Sequence, residues 1–152
     1  MPKKFIYKYL SDDDLKAISA RITEIEKTTS GELVITIKEK RGWLEKTKSI
    51  RELAEKEFVS AKIGKTKDAT GILIFMIFNA KEFCILADDK INQKVKQSVW
   101  DEIAEDMTKH FKQEDFCNGI IKGIEQTGTI LTQHFPIQPG DVNELSNVVR
   151  VK

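Results

Sequence analysis

Four carboxylates stand at the ends of the most hydrophobic segments of the chain: Glu32, Asp68, Asp88 and Asp89. Carboxylate oxygens are the ligands that hard cations such as Ca²⁺ and Mg²⁺ prefer, and the amide of Asn92 adds another oxygen nearby. The same acids could instead be solvated turn residues, some of them paired with Lys65, Lys67 or Lys90. Their spacing along the chain leaves both interpretations open, so the outcome depends on how the fold places these side chains.

The signatures of the known phosphatase classes are absent from the sequence. The aspartates at 12–14 follow Ser11, which is typical of a helix start, whereas an aspartate-based phosphatase carries its pair after a strand. Neither cysteine is followed by arginine six positions later, as a cysteine-based phosphatase requires, because those positions hold Lys90 and Gly123. The stretch 64–66 lacks the first glycine and the strand-to-helix setting of a phosphate-binding loop. No motif therefore names a reaction.

Hydrophobic periodicity predicts the elements that carry the four acids. Apolar residues at helical spacing follow the cap at Ser11, and apolar runs bounded by turn residues predict strands. The predicted helices cover residues 11–28, 44–61, 95–113 and 116–134, and the predicted strands cover 33–37, 72–78 and 82–87. Gly119, Gly123 and Gly128 weaken the last helix in water, so we expect them to allow close approach of another element.

This order of elements predicts an α/β fold with a small mixed sheet. The first two strands and the helix between them form a βαβ unit, so they should be parallel, and the third strand returns antiparallel through a hairpin. Helices on both faces complete a three-layer sandwich. This topology gathers Glu32, Asp68, Asp88 and Asp89 at one edge of the sheet, with the 38–43 loop at the other. Asp88 and Asp89 can share a pocket only if the strand ends before them.

Length and charge limit the classes of protein that remain. The chain has 152 residues and a net charge of +1, which argues against a dedicated nucleic-acid binder. We expect one domain over residues 1–136 and a tail over 137–152 that is mobile or packs on the surface. No segment has the length of a signal peptide's apolar region or of a membrane anchor, so we expect a cytoplasmic monomer without an anchor.

Several short sequences, taken in their order and spacing, resemble the TPM domain family over about residues 11–136. They are Gly31-Glu32, Thr66-Lys-Asp-Ala-Thr-Gly-Ile-Leu-Ile, Ile85-Leu-Ala-Asp-Asp-Lys-Ile-Asn, Trp100 with Met107 and His110-Phe111, Phe116-Cys-Asn-Gly-Ile, and Gly128 to His134-Phe135-Pro136. Within that family, the chain resembles the small, free-standing bacterial members.

The resemblance implies both a fold and a site. Family members are α/β sandwiches, some bacterial ones bind Ca²⁺ or Mg²⁺ in an acidic loop region, and some thylakoid-lumen members are acid phosphatases that help photosystem II repair. By position, Asp68, Asp88, Asp89 and Glu32 match the acidic sites, although Asp88 stands where the family often has glycine. The resemblance favours a divalent-cation site, and the lack of a catalytic motif then favours an interaction or accessory domain with a protein partner. The alternative is a weak metal-assisted acid phosphatase acting on phosphate monoesters.

Overall fold

The computed structural model describes residues 4–66, 68–141, 144–145, 147 and 149–152. In chain order its elements are α1 (Asp12–Glu26), β1 (Glu32–Lys38), α2 (Ile50–Ser60), β2 (Gly71–Ile77), β3 (Glu82–Ala87), α3 (Asp89–Asn92), α4 (Gln97–Lys112), α5 (Phe116–His134) and β4 (Arg150–Val151). Short 3₁₀ turns lie at Lys4–Lys8, Trp43–Glu45 and Ile63–Lys65.

The strands form one mixed sheet in the order β3-β2-β1-β4. β1 is parallel to β2, with Glu32 opposite Gly71, and β2 is antiparallel to β3, with Ile72 opposite Ala87. The predicted βαβ unit and hairpin are therefore confirmed. A helix crossover makes the first pair parallel, and a short turn makes the second pair antiparallel.

Alternate residues of each strand pack on opposite faces of the sheet, as the pleat of a strand requires. One face, represented by Ile35 and Ile74, packs with residues of α1, α4 and α5 such as Trp100. The other face, represented by Leu73, packs against α2 through Leu53. Both faces are covered, which explains the continuous apolar run of β2 and confirms the three-layer sandwich.

Side-chain caps mark the starts of the first two helices. The Ser11 hydroxyl accepts a 3.0 Å hydrogen bond from the Asp14 N–H, and the Asp14 carboxylate accepts a 2.9 Å bond from the Ser11 N–H. This reciprocal pair is the capping box. The second helix begins at Ile50, later than residue 44, because Ser49 caps it by accepting from the Glu52 N–H at 3.1 Å. The residues before Ser49 form a separate loop.

The tail contributes a fourth strand that the sequence did not predict. Arg150 and Val151 pair parallel to β1 opposite Thr36 and Ile37. The buried carboxylate of Glu57 on α2 accepts from Arg150 Nε at 3.2 Å and from Lys152 Nζ at 2.7 Å. A two-residue strand has no hydrophobic period of its own, so its position depends on these distant contacts.

The glycines of α5 lie where its neighbours approach closely, as expected. A Cβ at Gly119 would lie 2.8 Å from the His110 Cβ, and one at Gly123 would lie 2.5 Å from the Met107 Sδ, both on α4. Gly128 faces α1 in the same way. None of the helices in the described part of the chain is long and apolar enough to cross a membrane.

Candidate metal-binding edge of the sheet

The candidate site lies where β1 and β2 begin and β3 ends. The Glu32 N–H donates to the Thr70 carbonyl at 3.1 Å, and the Asp88 N–H donates to the Gly71 carbonyl at 2.9 Å. The start of β2 is therefore flanked by Glu32 on one side and Asp88 on the other. The topology brings these backbone segments to one edge, as the sequence predicted.

Asp88 stands at the junction between β3 and α3. Because β3 ends at Ala87, Asp88 is free to act as the N-cap of α3, and its Oδ1 accepts from the Asp89 N–H at 2.8 Å. Its Oδ2 is buried and has no hydrogen-bond partner among the described residues. A buried carboxylate oxygen without a partner is costly, so this atom is a natural position for a bound cation or an ordered water.

A cavity of about 280 Å³ opens between α2 and the end of β3. The acids Asp88 and Asp89 line it, and Asn92 from α3 joins them. The Asn92 side-chain N–H donates to the Ala87 carbonyl at 2.8 Å, which leaves its Oδ1 as an acceptor. The remaining walls combine charged, amide and apolar groups, namely Arg51, Glu55, Phe58, Val59, Leu86, Ala87 and Gln97.

Glu32 lies at the same edge but in a different environment. Its buried Oε1 accepts hydrogen bonds from the N–H groups of Glu144 and Leu145 in the tail, the latter at 2.8 Å. It lines a separate cavity of about 50 Å³ together with Glu26 and Asp141. Burial is the largest influence on the pKa of Glu32 and raises it, while the hydrogen bonds from the two tail N–H groups act to lower it. The structure therefore ties Glu32 to the tail.

Glu26 is a half-buried acid that the sequence did not single out. Its Oε2 accepts from the Leu33 N–H at 3.0 Å, which links the end of α1 to β1. Burial raises the pKa of Glu26 to about 7, and the nearby Glu32 carboxylate adds to the rise. A signal exists in the sequence, because Glu26 continues the buried row of Ile18 and Ile22 at four-residue spacing.

Asp68 lies half-buried in the turn before β2. The next residue, Ala69, has a φ of 53°, a left-handed conformation that turns the chain sharply. The Thr66 hydroxyl in the same turn is buried without a hydrogen-bond partner among the described residues. Within the described ranges, no group of three or more His, Cys, Asp or Glu side chains is close enough to hold a metal ion by itself.

The four predicted acids thus separate into three places. Asp88 and Asp89 share the larger cavity, Asp68 lies in the turn at the same edge, and Glu32 faces the tail. The cavity beside Asp88 also carries the carboxylates of Glu55 and Asp89, and carboxylate oxygens suit a hard cation better than a soft one. Protein carboxylates would need carbonyl oxygens and waters to complete a coordination shell there.

Comparison with solved structures places this fold among known proteins. The solution NMR structure of the BA42 protein from the psychrophilic bacterium Bizionia argentinensis has a TM-score of 0.83 and 30% identity, over 95% of this chain and 96% of that one. An N-terminal domain from a P. gingivalis protein has a TM-score of 0.69 at 15% identity, over 86% of this chain and 83% of that one. The N-terminal domain of the cg2496 protein from Corynebacterium glutamicum has a TM-score of 0.61 at 10% identity, over 82% of this chain and 75% of that one.

The last two similarities concern the fold alone. No curated protein matches the sequence. The family model described as the TPM domain matches residues 7–130, which is most of the chain and includes the whole candidate edge. The chain therefore belongs to the TPM domain family.

Proposed function

We propose that this chain is an accessory domain that binds Ca²⁺ or Mg²⁺ at the cavity beside Asp88. The observation that carries the proposal is the buried Asp88 Oδ2, which has no hydrogen-bond partner among the described residues. A divalent cation would offset the cost of burying this oxygen. The charge of Asp89 and the amide oxygen of Asn92 on the same cavity add to the attraction.

The proposed ligands are Asp88 and Asp89, supported by Asn92 and by Asp68 from the neighbouring turn. Ca²⁺ accepts carbonyl and water oxygens beside carboxylates, and Mg²⁺ keeps several of its waters, so a site with few acids can hold either. Glu32 is left out of this set because its Oε1 already accepts two tail N–H groups. Its proposed role is to hold the tail against the sheet edge.

A titration with CaCl₂ and MgCl₂, followed by amide NMR, tests the site. We expect the shift changes to concentrate at residues 66–71 and 88–92 and to saturate. Asp88→Asn should abolish them while keeping the helix cap, since asparagine retains the capping oxygen. Asp106→Asn, an exposed acid on α4, is the matched control and should bind as wild type. Shifts spread over all surface acids, or binding that survives Asp88→Asn, would disprove the proposal.

A second candidate function rests on Arg51, which lines the same cavity and forms a 3.1 Å ion pair with Glu55. A guanidinium beside a cation site could orient a phosphate monoester through paired hydrogen bonds. A bound cation would supply charge stabilisation to the phosphate oxygens. The exposed carboxylate of Asp89 is then the group best placed to accept a proton from water.

A phosphate-ester assay separates the two candidates. The accessory-domain proposal expects cation binding with no turnover that depends on Asp89 or Arg51. The phosphatase proposal expects turnover that falls by about a hundredfold or more in Asp89→Ala and also in Arg51→Gln. We favour the accessory role, in which the cation fixes the 66–71 and 88–92 segments for recognition by a protein partner. On this proposal the chain acts as a monomer.

A further inference from the structure

Two large apolar side chains project from the end of the sheet opposite the acidic edge. Trp43 is 82% exposed and its neighbour Leu44 is 79% exposed. Side chains with so much free surface touch little of their own protein. Single exposed apolar residues are ordinary, but an adjacent tryptophan and leucine that are both this exposed are a local apolar tip.

The loop that carries this tip is held in a defined shape. The Arg41 guanidinium donates two hydrogen bonds to the Glu82 carboxylate on β3, at 2.7 and 3.0 Å, and its Nε donates to the Lys48 carbonyl at 2.9 Å. One arginine thus ties both ends of the loop to the sheet. A forked arginine–carboxylate pair fixes direction as well as distance.

Glu45 shapes the loop from inside. Its Oε1 accepts from the Gly42 N–H at 2.7 Å and from the Lys38 ammonium. The Glu45 N–H returns a 3.0 Å bond to the Gly42 carbonyl, which closes the turn around Trp43 and Leu44. The Glu45 carboxylate therefore faces the loop backbone and Lys38, while the two apolar side chains face outward.

Basic residues surround the tip. Lys40, Lys46 and Lys48 are exposed, and none forms an ion pair with another described residue, whereas the acids Glu45 and Glu82 are engaged with Lys38 and Arg41. Glu39 is the other acid next to the loop, and the three lysines outnumber it, so the net charge beside the tip is positive. The chain as a whole is nearly neutral at +1, so this concentration is local.

We propose that the 40–48 loop binds an anionic lipid bilayer, with Trp43 and Leu44 entering the interfacial layer and the three lysines contacting lipid phosphates. Tryptophan is enriched at this depth because its ring is apolar and its N–H is polar. Each lysine near an anionic surface raises the binding constant about fivefold. A projecting tip fits a soft interface, whereas a stable protein interface needs about 800 Å² on each side.

Vesicles of equal parts phosphatidylglycerol and phosphatidylcholine test this inference, with pure phosphatidylcholine for comparison. The fluorescence of Trp43 should shift to the blue on the anionic vesicles, because its ring leaves water. Trp100, the second tryptophan, is fully buried and gives a constant background. Co-sedimentation measures the bound fraction directly.

Matched variants distinguish binding by the apolar tip from nonspecific adsorption to vesicles. Leu44→Ser keeps the Trp43 reporter and should weaken binding about tenfold, as lost apolar area at the interface requires. Val59→Ser, which removes an apolar side chain that is 76% exposed on α2, should bind as wild type. Replacing Lys40, Lys46 and Lys48 together by glutamate should remove binding, while the same change at Lys27, Lys65 and Lys90 near the acidic edge should not.

Two results would overturn the inference. One is the lack of both a blue shift and co-sedimentation with anionic vesicles. The other is vesicle binding that Leu44→Ser leaves unchanged. Self-association that disappears in Leu44→Ser, without vesicle binding, would assign the tip to a second copy of the chain and would also reject the lipid proposal. Circular dichroism of each variant confirms that its fold is intact.

Discussion

The Thr36 hydroxyl on β1 donates a 2.7 Å hydrogen bond to Glu57 Oε2 on α2, and both side chains are buried. The same carboxylate receives Arg150 and Lys152 from the tail. A single buried acid therefore joins the crossover helix, the first strand and the last strand. The arrangement satisfies the charge with three donors, which is what allows a carboxylate to be buried.

We predict that Glu57→Gln lowers the free energy of unfolding by about 2 kcal/mol, since it weakens charged hydrogen bonds that hold the tail and β1 together. Urea unfolding measures the change. Glu55→Gln is the matched control, because Glu55 is exposed and its ion-pair partner among the described residues is the exposed Arg51. Its effect should stay below about 0.5 kcal/mol. Equal losses in the two variants would show that the buried network adds nothing.

The raised pKa of Glu26 predicts a particular pH dependence of stability. The folded protein holds this proton up to about pH 7, whereas the unfolded chain releases it near the usual value of 4.5. The folded state therefore binds more protons between these values, and stability from this group falls as pH rises through the window. Discounted for partial exposure, the loss is about 1–2 kcal/mol.

Glu26→Gln should remove this loss, so its stability relative to wild type should rise between about pH 5 and pH 8. Urea unfolding across that range measures the difference. Glu24→Gln, an exposed acid on the same helix, should show no such trend. A carboxyl titration of Glu26 followed by NMR should have its midpoint at about 7. A midpoint near 4.5 would contradict the prediction.

Gly128→Ala should destabilise the protein by about 1–3 kcal/mol. A Cβ at this position would lie 2.7–2.9 Å from three side-chain atoms of Ile25 on α1. This overlap exceeds the gain of about 1 kcal/mol that alanine brings to a helix. In an Ile25→Ala background, the same change should be neutral or stabilising, because the obstructing atoms are gone. Thermal unfolding of the four proteins in this cycle measures the coupling.

Asp88 should show two separable contributions to stability. Without added cations, Asp88→Asn should match wild type within about 0.5 kcal/mol, whereas Asp88→Ala should lose about 1 kcal/mol with the α3 cap. With CaCl₂ in excess, wild type should gain stability and neither variant should follow. Thermal unfolding in CaCl₂ and in a chelator measures both terms. A calcium-dependent gain in Asp88→Asn would locate the cation elsewhere.

Much of the sheet could be predicted from sequence because its signals are local. The run of seven apolar residues from Ile72 to Phe78 and the hairpin turn after it predict a central strand and its antiparallel neighbour. The crossover between β1 and β2 then determines which ends of the strands meet. The predicted topology puts the backbone of Glu32 and Asp88 beside the start of β2, where the structure has them.

The missed features depend on contacts between distant parts of the chain. Arg150 and Val151 form a strand because β1 offers an open edge and because Glu57 binds the side chains of Arg150 and Lys152. Glu32 faces the tail because two tail N–H groups reach it. No local pattern encodes either arrangement. Glu26 and Glu57 were different, since each continues a buried row of its helix and could have been recognised as an acid facing the protein interior.

β1 runs from Glu32 at the acidic edge to Lys38 at the base of the Trp43 loop. Seven strand residues span about 23 Å, and hydrogen bonds to β2 on one side keep that length fixed. The acidic edge and the Trp43 loop therefore lie at opposite ends of one hydrogen-bonded strand. A surface that binds the Trp43 loop would therefore hold the acidic edge away from itself by about the length of β1, whatever is bound at that edge.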